Sequence, residues 1–165
     1  MPKHHEVRAL PYSASQMYDL VIDVARYNEF LPWVSAVRVR SDSETEMVAD
    51  LVVGFKAIKE RFTSRVTKAR DRSVHVDYID GPLKFLRNDW RFEDDGAQGC
   101  RVDFMVEFAF KNRLFEAIAG QMFDHALRRM IGAFEARAHQ LYGPPSVKPP
   151  TPASATPRQS ALPEA

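Results

Sequence analysis

The chain has 165 residues, a formal net charge of +1 and a single cysteine, Cys100. The length suits one domain, and the near-neutral charge excludes a global field that would attract nucleic acid. One cysteine excludes an intramolecular disulfide framework. The first residues lack a signal-peptide or transit-peptide pattern, and no run of about 18 apolar residues predicts a membrane span. We therefore expect a cytoplasmic protein, with peripheral contact to the inner face of the bacterial inner membrane as an option.

The chain begins with a predicted strand at about residues 4–9, followed by a helical region. Ser13 is a plausible N-cap, and a glutamine three residues later completes a capping box. The helix is expected to break near Asp23, to resume over residues 27–31 and to end at Pro32, because the residue before proline avoids the helical conformation. Two short helices are therefore predicted after the first strand.

From Val34 to Phe110 the hydrophobic period changes to two. Such alternation gives each strand one dry and one wet face, which is typical of antiparallel sheets. The connections are short and rich in turn-forming residues. The alternation is clearest in five stretches: 47–55, 61–67, 74–78, 88–92 and 102–110.

A long helix is predicted from Leu114 to Leu141, where apolar residues recur at helical spacing and Gly143 ends the pattern. The order of elements predicts an α+β fold in which a curved, seven-stranded antiparallel sheet wraps around this helix. Residues 1–143 would form one ligand-binding domain. Residues 144–165 hold seven of the eleven prolines and are expected to be a disordered tail, with a polyproline ligand as the alternative.

Motifs for catalysis are missing from the sequence. The five histidines stand at no metal-ligand spacing, and no phosphate loop or nucleophile elbow is present. Ser64 lies on an inward face without a histidine to activate it, so a buried structural hydroxyl is the simpler interpretation. Glu60, in phase with Phe62 and Ser64, is the best candidate acid or base if the chain is an enzyme. We expect no enzyme activity, no metal and no required cofactor.

Large apolar side chains are unusually frequent among the positions predicted to face inward. A plain core explains most of them individually. Gly120 and Gly132 interrupt the long helix, each at a cost of about 1 kcal/mol relative to alanine, which suggests that a strand or a ligand approaches closely. Methionines suit an adaptable pocket lining. The pattern favours a cavity between the sheet and the helix.

Four pieces of the sequence, in order, resemble the coenzyme Q-binding START-like proteins, which belong to the helix-grip superfamily of polyketide cyclases and lipid-transport domains. The resemblance covers about residues 3–143. One departure is Leu83, where the family often has phenylalanine. The matching pieces are residues 18–33, residues 53–56 with 60–66, residues 81–86 with 90–92, and residues 133–138.

The resemblance implies non-catalytic binding of ubiquinone or a similar polyisoprenoid lipid, in support of respiratory electron transport. Loops at residues 31–33 and 81–83 are expected to form the cavity mouth, with Trp90 near it. The predicted ligand-binding residues are Leu31, Pro32, Trp33, Phe55, Phe62, Leu83, Phe85, Trp90, Phe104, Phe108, Met122, Phe123, Leu127 and Met130.

The same family includes the RatA ribosome-association toxins, so binding to the large ribosomal subunit is the alternative, and a polyketide cyclase or aromatase is a third hypothesis. A basic patch bears on the alternative. Such a patch could meet RNA phosphates or an anionic membrane, or be a solvated outer face, and the sequence leaves these open. Its residues are Lys56, Lys59, Arg61, Arg65, Lys68, Arg70 and Arg72.

Overall fold

The structure is a computed structural model that describes residues 2–55, 58–96 and 99–144. The elements follow the predicted order of strand, helices, six strands and long helix. A 3-10 turn at Val24–Arg26 joins the first two helices. The strands are β1 (Lys3–Leu10), β2 (Val34–Asp42), β3 (Glu46–Phe55), β4 (Ile58–Ala69), β5 (Ser73–Asp80), β6 (Leu83–Asp94) and β7 (Cys100–Phe110), and the helices are α1 (Ala14–Ile22), α2 (Tyr27–Phe30) and α3 (Arg113–Tyr142).

All seven strands form one antiparallel sheet in the order β1-β7-β6-β5-β4-β3-β2. The first strand pairs with the last, so β1 and β2 are the two edges. The register shifts between β2 and β3, between β4 and β5, and between β6 and β7. Such bulges bend strands and increase their twist. The α+β helix-grip fold predicted from the sequence is thus confirmed.

Local signals explain where the helices begin and end. Ser13 caps α1 through the predicted capping box, in which its side chain accepts a hydrogen bond from the amide of Gln16. Asn112 caps α3 by accepting hydrogen bonds from the amides of Leu114 and Phe115. Gly143 ends α3 with a φ of 77°, a conformation that glycine adopts without steric cost. The sequence therefore placed both ends of the long helix within about one residue.

The core lies between α3 and one face of the sheet, which we call the inner face, and α1 closes one end of it. Tyr18 of α1 meets Phe92 edge-to-face at 6.1 Å. In α3 the buried residues Leu127, Phe134 and Ala138 lie from the middle of the helix onward, whereas Leu114 near the start is 65% exposed. The helix therefore covers the core mainly with its second half.

Two helical glycines contradict the sequence-based expectation. Gly120 and Gly132 are exposed, and a Cβ atom added at either would meet no neighbour within 4 Å. No strand approaches them, because both lie on the solvent side of α3. The predicted tail, apart from Pro144, lies outside the described residues. None of the described helices combines the length and apolar character that a membrane span requires.

Candidate functional site

A cavity of about 210 Å³ lies between the inner face and α3, and we call it the main cavity. Residues from six strands contribute to its wall because their inward positions repeat every second residue. The rest come from α1, the 3-10 turn, α2, the loop after α2 and α3. Its lining residues are Val21, Val24, Tyr27, Leu31, Val34, Leu51, Val53, Phe62, Ser64, Val66, Val74, Val76, Leu86, Asn88, Trp90, Phe104, Val106, Met130 and Phe134.

Three polar side chains interrupt this apolar wall. The Asn88 amide donates a hydrogen bond to the Met105 carbonyl at 2.9 Å, and its oxygen accepts one from the indole N–H of Trp90 at 2.8 Å. The Tyr27 hydroxyl donates to the Val21 carbonyl, and burial raises the pKa of Tyr27 far above its usual value. Ser64 is buried, and its hydroxyl has no hydrogen-bond partner among the described residues.

The described lining of the main cavity contains no carboxylate, imidazole or thiol. Glu60, the acid or base candidate from the sequence, is not among the lining residues. In the described part of the chain, no cluster of three or more potential ligands could hold a metal ion. The chemistry that this wall offers is hydrophobic contact and hydrogen bonding to a neutral ligand.

Five of the predicted ligand-binding residues are brought together in the wall of the main cavity: Leu31, Phe62, Trp90, Phe104 and Met130. They come from the loop after α2, from three strands and from α3. The turn at residues 81–83 packs directly against Phe62, since a Cβ atom on Gly81 would lie 2.7 Å from that of Phe62. This places the predicted mouth loop beside the cavity wall.

The other predicted residues lie elsewhere. Leu83 is buried just before a register irregularity of β6, and Phe85 points to the opposite face from its neighbour Leu86, which lines the cavity. Trp33 lies under the guanidinium of Arg129, 5.6 Å from the ring centroid. The side chain of Phe55 lies outside the described residues. Also absent from the lining are Pro32, Phe108, Met122, Phe123 and Leu127.

Trp90 is not at the mouth, contrary to the sequence-based expectation. It is 9% exposed and lies seven residues beyond Leu83 along β6, roughly 23 Å at the usual rise per residue. Its ring centroid is 4.6 Å from that of Phe104 and 5.3 Å from that of Phe134. Trp90 therefore belongs to the core and forms part of the wall of the main cavity.

Sequence reasoning missed most of the smaller lining residues, because it ranked candidates by size. Val53, Val66, Val76 and Val106 share the inward phase of their strands with the predicted aromatics. That phase was readable from the sequence. Asn88 was also in phase, and its role as the acceptor for Trp90 could have been proposed from their spacing of two residues.

The predicted basic patch divides between the two faces of the sheet. Lys68 is 7% exposed and pairs with Asp42 at 2.6 Å, so it does not belong to the surface. Arg70 pairs with Asp19 of α1 at 3.1 Å and lies over the Tyr18 ring. Arg72 is exposed in the β4–β5 turn, and Lys56 lies outside the described residues.

Lys59, Arg61 and Arg65 remain on the outer face of β4, where Arg38 and Arg40 of β2 extend the charge across β3. We call these five residues the basic face. Lys59 and Arg61 have no ion-pair partner among the described residues, whereas Arg65 pairs with Glu46 at 3.3 Å. The sequence pointed to β4 alone, because the register that brings β2 alongside is a tertiary property.

Asp50 organises the centre of the basic face. It is 3% exposed, accepts a hydrogen bond from the Thr63 hydroxyl at 2.5 Å, and pairs with Arg40 at 2.8 Å. These partners hold the pKa of the carboxyl below its usual value, with the Thr63 hydrogen bond as the largest cause. The carboxylate fixes Arg40 and leaves Arg61 directed to solvent, so the face keeps a positive excess.

Residues 10–135 match the model of the family described as polyketide cyclase / dehydrase and lipid transport. The chain belongs to this family. Two relatives of this chain have names that describe different functions. The Ribosome association toxin RatA of Pseudomonas aeruginosa is 39% identical over 134 residues, which cover 81% of this chain and 93% of that protein. The mitochondrial Coenzyme Q-binding protein COQ10 homolog B of Xenopus laevis is 36% identical over 146 residues, covering 86% of this chain and 59% of that protein.

Among solved structures, the Zhui aromatase/cyclase from a Streptomyces species superposes with a TM-score of 0.74 at 13% identity, covering 86% of this chain and 95% of that chain. At this identity the likeness shows the fold alone. An aromatase/cyclase and this chain thus share one scaffold, and the side chains of the site must decide the function.

Proposed function

We propose that the chain binds ubiquinone, or a polyisoprenoid lipid of similar chemistry, in the main cavity and acts as a non-catalytic lipid chaperone that supports respiratory electron transport. The observation that carries the proposal is the apolar wall between the inner face and α3, which leaves a space inside the protein. Similarity to a coenzyme Q-binding protein supports a quinone as the ligand. Burial of apolar surface, at about 25 cal/mol per Å², would drive binding.

The few polar groups of the wall suit a quinone headgroup. A quinone carbonyl only accepts hydrogen bonds, and the unpaired Ser64 hydroxyl is a donor on the cavity wall. Asn88 donates one of its two amide protons to Met105, which leaves the other available. We expect Ser64→Ala to weaken quinone binding by about 3–10-fold, the usual value of one neutral hydrogen bond. Binding of a hydrocarbon without a carbonyl should not change.

Two neighbouring valines of β3 provide a matched test of the cavity. Val53 lines the main cavity, whereas Val52 points to the outer face and pairs with Arg61. Val53→Phe should fill part of the cavity and abolish quinone uptake from vesicles, and Val52→Phe should leave uptake intact. Equal uptake by both variants would show that the quinone does not enter this cavity.

The basic face supports a second candidate function, binding to the large ribosomal subunit. RatA is a relative along nearly its full length, and Lys59 and Arg61 are exposed on the outer face with no ion-pair partner among the described residues. The double variant Arg61→Glu, Arg65→Glu should abolish co-sedimentation with large subunits. Arg91→Glu, an exposed residue of β6, is the control for the charge change. Loss of co-sedimentation in the control as well would remove this candidate.

The same variants distinguish the two candidate functions. Val53→Phe affects only the cavity, and the double arginine variant affects only the basic face. Contact of the basic face with an anionic membrane is part of the same proposal, with phosphatidylglycerol vesicles as the probe. A cyclase or aromatase would need an acid or base at its ligand, and the described lining supplies neither a carboxylate nor an imidazole. We therefore favour binding over catalysis.

A further inference from the structure

The interior contains a second space, which the proposed headgroup site does not use. This side cavity, of about 40 Å³, lies between β1, β7 and α3. Its lining is apolar except at one end, where Arg8 pairs with Glu6 at 2.9 Å and with Glu135 of α3 at 3.6 Å. These charged side chains are partly exposed, so that end faces solvent.

The two cavities share one aromatic wall, formed by three side chains. Trp90, Phe104 and Phe134 line both the main and the side cavity. Trp90 is fixed by its hydrogen bond to Asn88, and Phe104 belongs to β7, which is paired on both sides. Phe134 is the contribution of α3 to this wall. The packing of side chains thus separates the two spaces, and Phe134 is the ring with no strand pairing to hold it.

The main cavity is too small for a whole polyisoprenoid lipid, so the aromatic wall between the two cavities affects where its chain can go. At about 210 Å³ it is smaller than the roughly 300–1,000 Å³ of typical small-molecule pockets. A headgroup with the first carbons of its chain fits such a space, but a long polyisoprenoid chain does not. The remainder of the chain must leave the main cavity, either through the mouth or past the aromatic wall.

We propose that the side cavity is the binding site for the hydrocarbon tail of the lipid, and that Phe134 limits the length of tail that can enter. This inference rests on the proposed function. A long tail passes between Phe134 and Trp90, fills the side cavity, and reaches solvent between β1 and α3, where the ion pairs of Arg8 separate. The ligand class is a neutral lipid with a carbonyl-bearing ring and a linear apolar chain.

The test compares quinones with two and with ten isoprene units. Phe134→Val should favour the long quinone over the short one by at least about tenfold, because burial of two further methylene groups corresponds to about that factor. Phe123→Val is the matched control, since Phe123 is another aromatic of α3 that packs on Phe108 and lines neither cavity. Its ratio of affinities should equal that of the wild type.

A second variant closes the side cavity. Ile131 lines only the side cavity and is partly exposed, so Ile131→Trp should fill that space without unfolding the protein. We expect it to weaken binding of the long quinone at least tenfold and to leave the short quinone unaffected. This variant decides the matter if Phe134→Val fails to fold.

The outcomes separate this inference from the proposed function. Suppose that the wild type binds quinones and that the ratio of affinities for the long and the short quinone is unchanged in both Phe134→Val and Ile131→Trp. The tail then leaves through the mouth, and the proposed tail site is overturned. Binding of neither quinone by the wild type overturns the proposed function and the tail site together.

Discussion

Trp90 offers the sharpest test of how the core and the cavity wall are packed. Its indole is almost fully buried, stacks near Phe92 at 6.3 Å, and meets Phe104 and Phe134 at 4.6 and 5.3 Å. Truncation of such a residue to alanine typically costs about 3–5 kcal/mol, a large share of the roughly 5–15 kcal/mol by which domains are stable. The change also leaves the Asn88 oxygen without its donor. We therefore expect Trp90→Ala to be severely destabilised.

Urea unfolding measures this loss. With a slope of about 2 kcal/mol per M, a loss of 3–5 kcal/mol lowers the midpoint by roughly 1.5–2.5 M. The other of the two tryptophans provides the control, since Trp33 is only half-buried and lies against Arg129. Trp33→Ala should cost clearly less than Trp90→Ala, because truncation of a half-buried ring leaves a smaller cavity. Similar midpoints for the two variants would refute the placement of Trp90 in the core.

Three further predictions concern other parts of the fold. Gly81→Ala should cost at least about 1–3 kcal/mol in thermal unfolding, because its φ of 141° strains an L-residue and the new Cβ would clash with Phe62; an unchanged melting temperature would contradict this. The pKa of His75 is raised above 6.5, and the largest cause is its hydrogen bond with Asp89. Protonated His75 therefore stabilises the fold below pH 6.5, and this contribution is lost as the pH rises through the folded-state pKa. The melting temperature of the wild type should therefore fall more steeply with pH than that of His75→Gln, and parallel curves would count against it. Truncation after Gly143 should leave the melting temperature and quinone binding unchanged, since no core residue is removed; a lower melting temperature would show that the tail packs on the domain.

Most of the fold was predictable because its signals are local. The capping box at Ser13, the period of two from β2 to β7, and Gly143 at the end of α3 each act within a few residues. The order of these elements then leaves few ways to cover one dry sheet face. Pairing of β1 with β7 follows from the fold family and not from any local signal.

The site was predicted less well, because a cavity depends on where atoms are missing. Alternation shows which residues of a strand face inward, but not which of them contact α3 and which leave space. Phe85 is in phase with the exposed Arg87, so alternation alone places it on the outer face, and the family resemblance rather than its phase made it a candidate. The pairing of Lys68 with Asp42, 26 residues away, is invisible to periodicity.

Lipid extraction from the purified protein, followed by mass spectrometry, tests the central claim most directly. We expect wild-type protein from a quinone-producing host to yield a quinone in a roughly equimolar amount, Val52→Phe to do so too, and Val53→Phe to yield little or none. A wild-type extract without any quinone, together with no uptake from quinone-loaded vesicles, would contradict it.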